Sequence, residues 1–103
     1  MVVFRCTIKF AKKFGFRLET DNQQNPTNVL GDWYFNFFTF QRINYILGVS
    51  ETSLLPVIVT AKEIKTFPER FGNRLAEVLQ IIGIDSNQIN LELREMQTIS
   101  YRK

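Results

Sequence analysis

The chain reads as an α+β domain: a small, mostly antiparallel sheet with two or three helices, the main helix packed across it. Three observations carry that reading. Residues 33–59 hold three strand-like runs separated by polar turns, the pattern of a three-stranded meander. Residues 66–82 carry one apolar stripe at helical spacing, which needs a sheet face to lie on. Short β-prone segments near both ends add an N-terminal and a C-terminal strand. With 103 residues, 45% hydrophobic and 14% aromatic, residues 1–103 form a single domain able to bury a core without disulfides or metal.

Val2-Val3-Phe4-Arg5-Cys6 is apolar and partly β-branched, hence a strand. Thr7 can cap a short helix in which Ile8, Ala11 and Phe14, or Phe10 and Phe14, share a face, with Gly15 as the stop. Lys9, Lys12 and Lys13 fall on its outer side. Residues 19–32, ETDNQQNPTNVLGD, are polar and rich in turn formers, so a mobile loop is expected there.

Alternation along WYFNFFTF puts Trp33, Phe35 and Phe37 on one face and Tyr34, Asn36, Phe38 and Phe40 on the other. Both faces are largely apolar, so this strand is expected to be central and covered on both sides. Gln41–Asn44 reads as a turn, Tyr45–Val49 as the second strand and Leu54–Val59 as the third. Pro56 cannot donate to a ladder, which puts the third strand at an edge or a bulge.

Thr66-Phe67-Pro68-Glu69 matches a capping box, with proline tolerated in the first turn. Phe67, Phe71, Leu75, Val78, Leu79 and Ile82 then form the stripe, and Gly83 ends the helix. Arg70, Asn73, Arg74, Glu77 and Gln80 take the wet side. Beyond it, Asp85 or Ser86 can cap a helix bearing Ile89, Leu93 and Met96, while Ile89, Leu91 and Leu93 also alternate as a strand would. Straight-chain residues favour helix to about residue 96. Thr98–Tyr101 then favours a strand.

Composition excludes several chemistries. The chain has no histidine and one cysteine, Cys6. Ser-His-Asp and Cys-His catalysis and a His- or Cys-ligated zinc site are therefore absent, and no cofactor or metal motif replaces them. A lone cysteine also fits a reducing cytoplasm and no intramolecular disulfide. No apolar run approaches the roughly 20 residues of a membrane span, so no membrane partner is expected. The apolar start is broken by Arg5 and Lys9 and lacks a cleavage site, unlike a signal peptide.

The net charge of +3 is spread along the chain. Lys9, Lys12 and Lys13, with Arg17 nearby, form its one local cluster and either make a solvated helix face or contact phosphate. An anionic partner, nucleic acid included, would use these with Arg42, Arg102 and Lys103.

Exposing Trp33, Phe35 and Phe37 would forgo roughly 5–9 kcal/mol of burial at about 1.5–3 kcal/mol each. That rivals the total stability of a domain, about 5–15 kcal/mol, so burial under the 66–82 helix is the expectation. Base-stacking platforms interleave Lys or Arg with their rings, and none occurs between Trp33 and Phe40. A protein–protein interface on the second face is the closer rival to a buried core.

Two residues remain as candidates for chemistry. Asp32, between Gly31 and Trp33, is either an acid in a pocket or a short side chain accepting amide bonds in the turn. Asn36 on an apolar face is either hydrogen-bonded within the sheet or directed into a small pocket. Glu63, Glu69 and Glu77 are accounted for by helix surfaces.

The opening RCTIKFAKKFG and the segment LGDWYFN at Leu30–Asn36 resemble a prokaryotic family, domain of unknown function 6933. Its members begin with a strand ending in R-C-T and a short Lys- and Leu-rich helix. After a variable loop they continue with LGDWYxN, a meander and a helix with an aromatic and Leu stripe. The resemblance covers most of the chain and marks Trp33, Tyr34 and Asn36 as binding candidates. Members tend to run past a strand like TISYRK into a tail with a Gly-Ser-x-Asn element. An end at Lys103 therefore implies a shortened member or a truncated chain. The resemblance brings a fold and no activity. The expected role is a small cytosolic module that binds macromolecules, most readily protein and including further copies of itself. Nucleic-acid binding is the alternative, and a histidine-independent enzyme using Asp32 a second one.

Overall fold

The computed structural model describes residues 1–19 and 25–103. Strands β1 (Val2–Cys6), β2 (Trp33–Phe40), β3 (Ile43–Ser50), β4 (Pro56–Thr60) and β5 (Ile99–Arg102) form one sheet in the order β4-β3-β2-β1-β5. Helices α1 (Ile8–Phe14), α2 (Phe67–Ile81) and α3 (Ser86–Glu95) accompany it.

The class is α+β, but the sheet is mixed, which corrects the expectation of a mostly antiparallel one. β1 runs parallel to both β2 and β5, whereas β2–β3 and β3–β4 are antiparallel. Connection length is the reason. Short turns reverse the chain, while the helix-containing crossovers before β2 and β5 bring it back to the same end of the sheet. The turn after β2 is also shorter than Gln41–Asn44, because Ile43 already pairs with Phe40 and Asn44 with Thr39. Gln41 and Arg42 alone make it, with φ of 50° and 67°, the doubly left-handed geometry that suits strand twist. Pro56 opens edge strand β4, in keeping with its missing donor.

α1 is capped as its sequence requires: Thr7 Oγ1 accepts the Phe10 amide at 3.0 Å, and Gly15 turns left-handed at φ 78°. The capping box at α2 does not form. A 3₁₀ turn at Ile64–Thr66 leads directly into the helix. The Thr66 hydroxyl donates to the Glu63 carbonyl at 2.9 Å and accepts from Arg70 Nε at 3.0 Å. Arg70, read as a wet-side residue, also reaches the Thr60 carbonyl at 2.8 Å and ties α2 to the end of β4. α2 closes at Gly83, φ 89°, where the amides of Gly83 and Ile84 return to the carbonyls of Gln80 and Leu79 in a Schellman motif.

The core lies between one sheet face and the helices. Phe4, Trp33 and Phe35 from β1 and β2 meet Phe67 and Phe71 of α2, with ring centroids 5.0 Å apart for Trp33–Phe71 and for Phe35–Phe71. Gly48 opposes Phe35 in the ladder and leaves room for these rings, since a Cβ there would lie 2.5 Å from Phe35 and 2.8 Å from Phe71. Leu75 and Leu79 continue the buried stripe, but Val78 is only half-buried and Ile82 is exposed, so the stripe is narrower than its spacing implied. α3 adds Ile89 and Met96.

Part of the expected mobile loop, residues 20–24, lies outside the described residues. Its flanks are tied down: the Glu19 amide donates to the Tyr101 carbonyl at 2.7 Å, and the Thr27 amide to the Met1 carbonyl at 3.0 Å.

Candidate functional site

The alternation of β2 has a consequence beyond the core. Its odd positions, Trp33 and Phe35, are sealed, with Phe37 half-buried, while the even positions face away from the helices. The expectation that β2 is covered on both sides is therefore corrected: Tyr34, Phe38 and Phe40 are 49%, 41% and 59% exposed. The helices all pack on one face of the sheet, so among the described residues the second face of β2, β3 and β4 is bare.

The register sets out that face in rows. Tyr34 sits beside Val49, which pairs with Pro56; Asn36 beside Leu47, which pairs with Ile58. Phe38 stacks on Tyr45 at 5.3 Å, and Phe40 pairs with Ile43 at the hairpin tip. Ile43 and Ile58 are exposed as well. No side chain of β2, β3 or β4 on this face is charged. A contiguous exposed apolar surface of this kind is characteristic of an interaction site. At one end the surface dips into a hollow of about 590 Å³, lined by Ile8, Tyr34, Leu47 and Val49 together with Arg5 and Lys103.

The candidate residues are distributed unevenly around this face. Tyr34 and Asn36 belong to it and line the hollow; the Asn36 carboxamide oxygen accepts from the Phe37 amide at 2.8 Å. Trp33, though adjacent in sequence, is wholly buried in the core. Asp32 is 5% exposed, and its Oδ2 accepts from Arg5 Nε at 2.8 Å. Its carbonyl accepts the Glu51 amide at 2.8 Å. Asp32 therefore holds the start of β2 to β1 and to the β3–β4 turn, and it lines neither hollow described here.

Lys9, Lys12, Lys13 and Arg17 are exposed, and the ammonium groups of Lys9 and Lys13 lie 5.7 and 5.2 Å from the Phe37 ring centroid. Arg42 is exposed at the hairpin tip, where it and Lys62 line a second hollow of about 440 Å³ with Phe14. Arg102 is 2% exposed and donates to Ser100 Oγ at 2.9 Å, so it adds nothing to a basic surface. The basic candidates thus divide between α1 and the hairpin tip, with Phe14 touching both.

One structural residue escaped sequence reasoning. Glu92, on α3, is 5% exposed, and its Oε1 accepts the amides of Val29 and Leu30 at 2.6 and 3.0 Å. It anchors the approach to LGDWY. The available signal was an acid on the buried side of α3, three residues after Ile89 and four before Met96. Glu95, near it, accepts from the terminal amine of Met1 and from the Thr27 hydroxyl, which together hold its carboxyl below the usual range.

Burial pushes the Cys6 thiol up to about 12, far from the range of a reactive thiolate. Among the described residues no group of three or more Cys, Asp or Glu is placed to hold a metal ion, and no helix is long and apolar enough to cross a membrane.

A family model described as Domain of unknown function (DUF6933) matches residues 3–103. No curated protein and no solved structure matches the chain.

Proposed function

The chain belongs to the DUF6933 family, and for this member we propose a cytosolic interaction module that binds protein through the bare face of β2, β3 and β4. One observation carries the reading: Tyr34, Phe38, Phe40, Ile43 and Ile58 are exposed together on a face without charge. Leaving such rings in water forgoes burial energy that a monomer would otherwise use. Aromatic residues at the centre of a patch and depletion of charge there are the marks of a binding core. The cytosolic location rests on the lone, buried cysteine.

A photo-crosslinking residue placed at Phe38 tests it in cells, with one at exposed Arg74 on α2 as the control. Covalent adducts from position 38 and none from position 74 are expected. Position 38 giving no adduct, or both giving the same ones, would defeat the proposal.

The second reading is a nucleic-acid or other polyanionic partner. It draws on the hollow that Arg42 and Lys62 share with Phe14, on Lys13 over the Phe14 ring, and on Lys9, which shares the Phe37 ring with Lys13. Retention on RNA or DNA at low salt, falling steeply as salt rises, would favour it over the apolar face.

A further inference from the structure

We propose that the occupant of the bare sheet face is a second copy of this chain, docked about a two-fold axis so that the hairpin tip of each copy fills the hollow of the other. This deepens the binding role proposed above and rests on it.

Three features of the face lead there. The first is area. At roughly 150–250 Å² for a whole aromatic side chain, the exposed fractions of Tyr34, Phe38, Phe40, Ile43 and Ile58 come to on the order of 500 Å². The half-buried Tyr45, Leu47 and Val49 between them carry this toward the approximately 800 Å² per partner of a standard interface. The second is charge. A partner of different chemistry is commonly selected by complementary charge, and this face offers none. Two copies, each of net charge +3, meet across strands that carry no charge, and the basic groups, Arg42 at the tip and Arg5 and Lys103 at the hollow, are confined to the two ends of the interface. Homodimer interfaces are also the more apolar class.

The third is relief. The face carries a raised end and a recessed end. Phe40 and Ile43, 59% and 48% exposed, stand at the hairpin tip, and the hollow of about 590 Å³ lies at Tyr34, Asn36, Leu47 and Val49. Asn36 and Phe40 are four residues apart on one strand, about 13 Å at 3.3 Å per residue. A two-fold axis parallel to the sheet and perpendicular to its strands, lying over the line between the Asn36–Leu47 and Phe38–Tyr45 rows, sets the two faces against each other and brings the tip of one copy over the hollow of the other. Such an interface is isologous and closes at a dimer, so it does not propagate into fibres. The hollow offers apolar wall from Ile8, Tyr34, Leu47 and Val49, beside Arg5, Asn36 and Lys103, and has room for a ring.

Sedimentation equilibrium of the purified chain across micromolar to submillimolar concentrations tests the proposal. The expected particle is twice the 12.1 kDa chain mass. Phe40→Glu, at an exposed tip, should keep the circular dichroism of the native chain and raise the dissociation constant by about tenfold or more, some 1.4 kcal/mol. Leu47→Trp, which fills the hollow, should do the same. Mixing the two variants should restore a heterodimer, because the filled-hollow copy keeps its ring and the Glu copy keeps its hollow. A monomer at every concentration, a dimer indifferent to both substitutions, or no rescue on mixing would overturn it. Should Leu47→Trp not fold, Val49→Lys at the same hollow replaces it. If the chain is monomeric while position 38 still crosslinks other proteins in cells, the self-association fails and the binding role stands.

Discussion

Cys6 is 3% exposed at the end of β1, against the Phe4 carbonyl at 3.7 Å, and its thiol is neutral in the folded chain up to about pH 12. In the unfolded chain it ionises near 9.0. Between those values the unfolded chain binds fewer protons, so stability is unaffected below about pH 9 and falls as pH rises toward 12. Tyr101 adds a loss of the same sign, since burial, then the neighbouring Cys6, pushes it from 10.0 up to about 12. Urea midpoints that decline from about pH 9 upward, with no reaction of Cys6 with a thiol reagent in the folded state, are the expected results. Glu95 acts at the other end of the scale. Its lowered pKa contributes stability that is present at neutral pH and lost as pH falls through the folded value. Asp32→Asn removes the charge from the Asp32–Arg5 pair and should lower the unfolding free energy by about 1.5–3 kcal/mol. Urea titration reads this, and an unchanged midpoint would contradict the structural role. Asp32 was visible in the sequence as a residue with two meanings, and only the partner across the sheet, Arg5, separates them. For Glu92 the pattern of α3 carries only its place on the buried side; nothing local to the helix reveals that its carboxylate meets amides 62 and 63 residues away.

Local chemistry explains which elements were legible. Thr7 acts through its own hydroxyl and Gly15, Pro56 and Gly83 through their own backbone geometry, and each does in the fold what its type requires. The Thr66–Glu69 box failed because Arg70 and a 3₁₀ turn engage the threonine first, a competition the four-residue pattern does not contain. Strand direction failed for a related reason: hairpins declare themselves in their turns, while parallel pairing arises from long crossovers whose ends are fixed by the whole fold. Gly48 shows an element defined by the absence of a side chain. Gly48→Ala places a methyl where Phe35 and Phe71 already sit, and overpacking of this kind should cost about 1–3 kcal/mol in the urea unfolding free energy. Phe71→Ala removes the ring that touches Trp33, Phe35 and Phe4 and should cost about 3–5 kcal/mol. A loss below that of Gly48→Ala would contradict the place given to α2.

At the scale of the molecule, a period of two along β2 sorts its rings between a core and a binding face. The sorting itself could be read from the order of residues. Whether the second face is covered could not, because that depends on where the helices lie, and α1, α2 and α3 all pack on the same side. Apolar character on both faces of β2 suggested a strand buried within the chain; the same character serves equally for one buried between chains. The bare sheet face is thus the central claim, and urea unfolding of Phe35→Lys and Phe38→Lys, side by side, tests it most directly. The two substitutions are identical in chemistry and three residues apart, on opposite faces. Phe35→Lys should abolish the cooperative transition, since it puts an unpaired charge among Phe4, Phe67 and Phe71. Phe38→Lys should retain a cooperative transition and native circular dichroism. Equal loss of the fold in both variants, or a folded Phe35→Lys, would contradict the account.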